Sequence, residues 1–527
     1  MPSALKYIPP TDPERDEFSQ QLISERMERR RRYETALRYY NGDHPEQLEY
    51  DEEVEPNDNT AINLVQITAD RTASFLFPEL PKFEVDPESV TDTPEEIWLK
   101  QLINDNGGLT FLVKLALRGF LAGHTFVRVL PPKRVGMRMT DPRFVLLDPL
   151  AITVFWSADD IGEVLWYENR YMVGSSLYIQ DYVWRPEKGD RGEWEIYTYK
   201  SETDKFEFVQ DVQQGPHGRG SLGRNSYIDF VAHGNFVLVP TEDGQKYARH
   251  SSHIPPIIEF PHLPHPDDYY GHGEVTQIEL QDTINRLWSE INRIIRKHAE
   301  PVDVVTGADI DDVEAGRDVM TISAPEAKVQ RLEMRSDLQA AVATVEKLVE
   351  TYLAVARVVL LKGEAKDLQR VTNASVRTLF IDALAKNEIL RHSYGRGLEK
   401  MMTLAMQMSG KEFAGRAVDL GVQIKWPEAL PVDHTEIANI NAIMVPLGAR
   451  SLRTAATALG DNWSFEQMAI EAEAKQKLER MVREAQVLAA ITPPEQPGAI
   501  TPSNGGARAQ IQNNMARAMS EVTKKTT

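Results

Sequence analysis

Four histidines and two aspartates crowd one short stretch: His250, His253, His262 and His265, with Asp267 and Asp268 beside them. Imidazole nitrogens and carboxylate oxygens are the ligands of a zinc-type centre, and the two His-x-x-His pairs raise that chemistry at once. The surroundings argue against it. Pro255, Pro256, Pro261, Pro264 and Pro266 make the stretch an extended connector, and neither pair sits on a helix where a spacing of four would converge two rings. No metal site is expected.

Other candidate chemistry fares similarly. Hydrolysis could draw on the many carboxylates together with His44, His272 or His434, but the sequence has no Gly-x-Ser-x-Gly elbow, no His-Glu-x-x-His helix and no kinase-type Asp-Phe-Gly set. Gly215, Gly218, Gly220 and Gly223 fall in the polar stretch 213–224. No Gly-Lys-Ser/Thr closes it and no strand-to-helix transition frames it, so it reads as an exposed loop rather than a phosphate cradle. Trp156, Trp166, Trp184 and Trp194 could stack on bases, yet in alternating segments they more simply fill a sheet core. The run Arg29 to Arg32 could grip nucleic acid, but Glu25, Glu28, Glu34 and the acid-rich run 46–58 can neutralise it on a solvated face. No catalytic residue and no cofactor is expected.

The elements that would position these residues follow from periodicity. Residues 11–43 read as a helix with Phe18, Leu22 and Met27 on one face, stopped by Asn41-Gly42. A second begins near Asn63, with Val65, Ile67, Phe75 and Leu76 as core contacts, and breaks at Pro78. Residues 94–119 are amphipathic through Ile97, Leu99, Leu102, Leu112 and Leu115, interrupted at Asn106-Gly107-Gly108. From Thr125 to about Ile258 the period becomes two, the mark of strands. Helical spacing returns at 274–298, lapses over 302–334 into short β-like runs, and resumes at 336–359. Two such helices pack antiparallel with the insertion at one end. A charged loop, a long helix over 373–408, helices near 434–446 and 464–489, and a polar tail complete the chain. The class is α+β, predominantly helical.

Composition narrows the function further. At 527 residues the chain is long enough for three or four structural units. It has no cysteine, which excludes disulfides, thiolate metal sites and thiol nucleophiles, and fits a reducing compartment. Acidic residues number 79 against 59 basic ones, so the averaged surface repels phosphate and any contact with nucleic acid is local or weak. No apolar run reaches the roughly 18–20 residues of a membrane helix, and the start lacks a basic-then-apolar signal layout, so the chain reads as soluble and unsecreted, with no membrane partner.

Several motifs in order resemble one family. Tyr39-Tyr40-Asn41-Gly42-Asp43-His44, then Asn59, Asn63 and the helix to Phe75-Leu76-Phe77-Pro78, open the pattern. Tyr270-Gly271-His272-Gly273-Glu274 with Ile278, Leu280-Gln281-Asp282 and Ile284-Asn285 continues it. Asn373-Ala374-Ser375, Leu430-Pro431 and Ser451-Leu452-Arg453-Thr454 close it. Together they resemble tailed-bacteriophage portal proteins of the SPP1-like family, the head-to-tail connector ring.

The resemblance implies a wing, stem, clip and crown architecture with the β-rich section in the wing. It places the N-terminal wing at 1–270, the first stem helix at 271–301, the clip at 302–335 and the second stem helix at 336–360. A tunnel loop follows at 361–372, then the long wing helix and return at 373–425, a crown-like region at 426–492 and a flexible tail at 493–527. It further implies a ring of about twelve copies sharing one repeated heterologous contact. Double-stranded DNA would pass through it weakly and without sequence preference, touching Lys362, Lys366 and Arg370 of the tunnel loop, with Glu364 and Asp367 limiting their grip. Stem charges Glu279, Asp282, Arg286, Arg293 and Lys297 either face the channel or pair along the helix and between subunits; the spacing favours pairing. The acidic clip, with Asp309, Asp311, Asp312 and Glu314, is expected to dock the terminase large subunit and later the head-completion adaptor. Major capsid and scaffold proteins complete the implied partners, and the implied location is the capsid vertex of the virion, with the host cytoplasm during assembly. Two other readings stay open on the sequence: a soluble multidomain hydrolase, and a minor head protein without a channel.

Overall fold

Thr93 opens a helix with a reciprocal cap: its side chain accepts from the Glu96 N–H while Glu96 reaches back to the Thr93 N–H, and Pro94 occupies the first turn. Such local signals set the elements. The computed structural model describes residues 15–49, 57–85, 93–136, 138–157, 160, 162–174, 176–188, 192–201, 236–241, 243–266, 268–299, 302–306, 313–315, 320–322, 328–332, 338–359, 377–411, 421–430, 434–459 and 463–491. The 213–224 stretch, the charged loop 361–372 and the tail beyond 492 lie outside the described residues.

The chain divides into two compact units, Met1–Asp433 and His434–Thr527. In the first, α1 (Arg15–Tyr40), α2 (Leu64–Leu76), α3 (Pro94–Asp105) and α4 (Gly108–Ala122) precede the two larger sheets, with the short strand β1 (Lys82–Glu84) between α2 and α3. The break between α3 and α4 falls at Asn106-Gly107, where Gly107 adopts φ +104°, a conformation that a side chain resists. β2 (His124–Leu130) lies between β5 (Arg143–Leu147) and β12 (Ile257–Pro261), all antiparallel. A second sheet runs in the order β10 (Phe236–Leu238), β9 (Glu193–Ser201), β8 (Ser176–Arg185), β7 (Val164–Val173) and β6 (Ile152–Trp156), with β11 (Ala248–His250) also on β9.

The main core joins α2, α3 and α4, the β2 sheet and α7 (Ile381–Met408) through Leu76, Leu99, Leu112, Phe260, Leu398 and Met402. Trp156, Tyr182 and Trp194 sit in a second core beneath the larger sheet, and Trp166 stacks on Phe155. These indoles therefore fill the sheet, as the alternation predicts. A short pairing not evident from the sequence ties β1 (Lys82–Glu84) to β17 (Gln423–Lys425).

Some predicted faces differ. Met27, Ile67 and Ile97 are exposed, and the buried face of α1 is formed by Arg29, Ala36 and Tyr39. Arg29 is not on a solvated face: its guanidinium lies 3.7 Å from the Tyr270 ring centroid and donates to the Ile152 carbonyl. Its neighbours do pair as charges, Arg30 with Glu34 at 2.8 Å and Arg32 with Asp268 at 3.2 Å. In the second unit, α8 (His434–Met444), α9 (Leu452–Leu459) and α10 (Trp463–Ile491) follow one another.

Candidate functional site

The long helix pair is built by α5 (Ile278–Ala299) and α6 (Leu338–Val355). Ile284, Leu287, Trp288 and Ile291 recur at three- and four-residue steps and meet Val345, Leu348 and Tyr352 in one apolar seam. Ile284 and Ile291 are fully buried there, each contributing about 1.5–3 kcal/mol. Between the two arms, β13 (Val302–Thr306) pairs antiparallel with β16 (Lys328–Leu332), and β14 (Val313–Ala315) with β15 (Met320–Ile322). This is a hairpin of helices bearing a small β unit at its connecting end.

α5 has a second buried stripe, and it is polar. Gln281, Asn285 and Ser289 are 0–1% exposed, and the extended strap of residues 57–63 lies along them. Asn285 accepts from the Ile62 N–H at 2.9 Å, Gln281 from the Leu64 N–H at 3.1 Å, and Ser289 from the Thr60 N–H at 2.9 Å. Gln281 also donates to the Ile62 carbonyl, and Asn292 to the Thr60 hydroxyl. A strap has no partner strand, so its backbone groups need these side chains. Asp58 finishes the ladder, held by Arg296 at 2.7 Å and Arg293 at 3.6 Å.

The motif residues near the start turn out to be the joints of this strap. Asn63 caps α2 by accepting from Gln66 and donates to the Tyr40 carbonyl. Asn59 accepts from the Gln47 and Leu48 N–H groups and donates to the Leu48 carbonyl. Tyr39 donates to Asp282 at 2.8 Å, and burial first, then that carboxylate, pushes the phenol well above its usual value. Gly42 turns the chain at φ +82°.

At its root the hairpin enters a buried charged hub. Glu274, just before α5, bonds His262 at 2.6 Å and the Lys386 ammonium of α7. Lys386 also donates to the Thr72 hydroxyl and to the Ala356 carbonyl at the end of α6, both at 3.2 Å. His262 bonds the Tyr394 hydroxyl at 2.8 Å. One lysine thus ties α2, α7 and both ends of the hairpin. Gly273 permits the approach, since a Cβ there would stand 2.6 Å from the Leu121 carbonyl oxygen.

The predicted site residues fall into three groups. Of the stem charges, Asp282 holds Tyr39, Arg286 pairs with Glu290 at 3.1 Å, Arg293 leans on Asp58, and Glu279 is exposed in the first turn. Lys297 occupies the last turn of α5. Pairing is thus along the helix for Arg286, and across the chain to residue 58 for Arg293 and Arg296. In the β unit, Glu314 stands opposite Thr321, while Asp309, Asp311 and Asp312 lie outside the described residues. Lys362, Glu364, Lys366, Asp367 and Arg370 lie outside them as well.

The histidines separate. His250 bonds the Ile254 carbonyl, His262 belongs to the hub, and His265 stacks on His272, which bonds Asp268. Among the described residues no group of three or more His, Asp and Glu side chains is arranged for a metal ion. His44 packs edge-on against Tyr39, and His434 opens α8.

The family model described as phage portal protein, SPP1 Gp6-like, matches residues 19–479. The chain therefore belongs to the SPP1-like phage portal protein family, a structural family, as the motifs indicated. No curated protein sequence matches it. Solved structures that resemble it include the neck of a native gene transfer agent particle computed with C12 symmetry, at 14% identity and TM-score 0.38, covering 75% of this chain and 88% of that one. The neck of an empty particle computed with C6 symmetry gives 11% identity and TM-score 0.36, covering 75% and 89%.

Proposed function

We propose that this portal protein assembles as a closed ring of about twelve copies at the single DNA vertex of a tailed-phage head. The hairpin α5/α6 is the stem, the β unit 302–335 the clip, 361–372 the tunnel loop, and residues 1–270 with 373–425 the wing. Residues 426–492 form the crown. One observation carries the reading: a family match over 19–479 encloses two long helices, joined by short paired strands and followed by a charged segment and another long helix.

Charge supports passage rather than grip. With the polar stripe of α5 spent on the strap, the helix keeps Glu279, Thr283, Arg286 and Glu290 outward, and α6 offers Thr344, Glu346, Lys347 and Glu350. Mixed signs at short spacing leave little net attraction for phosphate, so a duplex slides. Brief contacts fall to Lys362, Lys366 and Arg370, and docking of the terminase and the adaptor to the acidic clip. Among the described residues no helix is long and apolar enough to cross a membrane.

The test is the native mass by light scattering, with negative-stain images of the same fraction. A particle of about twelve times the 59.6 kDa chain mass with a central hole is expected. A closed dimer or tetramer without a hole would refute the ring.

A further inference from the structure

A cavity of about 220 Å³ opens between α2 and α7 beside the end of α6. Its walls are mostly apolar, from Phe75, Val358, Phe380, Ala383 and Leu390. Arg71 and Arg357 stand at its rim, and among the described residues neither meets a carboxylate. In the wall, Asn387 is 2% exposed, and neither its amide nitrogen nor its amide oxygen has a hydrogen-bond partner. Such an amide carries an uncompensated desolvation penalty.

The surface around the cavity is apolar too. Ile67 precedes Arg71 by one turn on α2, Leu379 precedes Ala383 by one turn before α7, Ile381 adjoins Phe380 in sequence, and Val355 stands two residues before Arg357. All four are 37–62% exposed. An exposed apolar patch around a pocket marks a protein contact rather than a solvated face.

We infer that this cavity is a socket for a second copy of this chain, which inserts an apolar side chain and lays its peptide group against the amide of Asn387. This rests on the ring reading given under Proposed function. A ring closes through a heterologous contact, so each copy presents a receptor surface to the next one's insertion. Charge favours a like partner: the rim is basic, and the chain as a whole carries a net charge of −20, so a neighbouring copy supplies carboxylates to Arg71 and Arg357. A peptide N–H and C=O are the groups that an amide side chain matches with both its atoms, after a small rotation toward the cavity.

The absence of cysteine makes the test direct. Ser74 lines the cavity and is exposed in the single chain, and Thr110 is exposed at the start of α4. In purified rings, S74C should react with a maleimide at least about tenfold more slowly than T110C, and the protection should vanish when rings are diluted to single chains. Equal rates in intact rings overturn the socket and leave the ring reading standing. Protection that persists in single chains overturns it too, because the cover would then come from within the chain. Failure to find any ring overturns the ring reading, and the socket with it. N387L supplies a second readout with opposite signs: single chains should melt higher, because the stranded amide is gone, while the ring dissociates at a concentration about tenfold higher. A variant that leaves ring dissociation unchanged overturns the role of Asn387.

Discussion

The hairpin root and the larger sheet both withdraw carboxylates from water, but the root keeps its one ionised while the sheet holds one of a facing pair low and drives the other up. At the root, burial pushes Glu274 up, but the His262 hydrogen bond and the Lys386 charge overcome it and hold the group below its ordinary value. In the sheet, Glu168 and Asp181 stand directly across β7 and β8. Arg26 and Arg170 both bond Glu168, which stays ionised down to about 2. Asp181 is left short: burial first, then the Glu168 charge, push it up to about 7. The difference teaches that burial alone does not decide a carboxylate's state. The count of cations within reach does.

The largest expected effect breaks the root. K386M strands Glu274 without its cation and should cost about 3–5 kcal/mol in urea unfolding. The double variant with E274Q should recover most of that; a single-variant loss under about 1 kcal/mol would show that the hub is not held by charge.

The sheet gives the opposite sign. Because the folded value of Asp181 lies above its ordinary 3.8, the native chain holds the extra proton between about 4 and 7, and stability falls as pH rises through that window. D181N should therefore be more stable than the parent by about 1–3 kcal/mol at pH 8, with the gap closing toward pH 4. A constant gap across that range would mean that Asp181 is not the titrating group.

Smaller effects belong to the strap. N285A removes the acceptor of the Ile62 N–H and should cost about 1–3 kcal/mol, with faster hydrogen exchange at that amide. Unchanged exchange at Ile62 would detach the strap from α5. D58N should cost only about 0.2–1 kcal/mol, less at high salt, because the two arginines are partly exposed. Hydrogen bonding by Arg296 holds Asp58 below its ordinary 3.8, so its contribution is whole above that pH and fades as pH falls through the folded value.

The legible parts of the molecule are those whose signal is local. The steps from Ile284 to Ile291 announce the apolar seam of α5, and Asn106-Gly107 announces the break before α4. The polar stripe of the same helix is silent in sequence, because Gln281, Asn285 and Ser289 answer backbone groups 217 to 229 residues earlier. Arg29 reads as a solvated charge for the same reason: Tyr270 and Ile152, which enclose it, are distant in the chain. Glu274 and Lys386 carry no spacing signal at all, since their pairing is made by packing of α7 against the hairpin root. The motif Tyr39 to Asn63 is visible in sequence as a pattern, while its physical meaning, the joints of a strap, lies in contacts to Asp282, Leu48 and Tyr40 that the pattern does not encode.

That strap also sets an order in time. The strap leaves the ribosome more than two hundred residues ahead of the helix face that satisfies it. At about 5–20 residues per second, the N–H groups of Thr60, Ile62 and Leu64 wait roughly ten to forty seconds for their acceptors. The nascent chain therefore cannot finish its N-terminal region first and add the hairpin later. Arrival of α5 is the event that locks both.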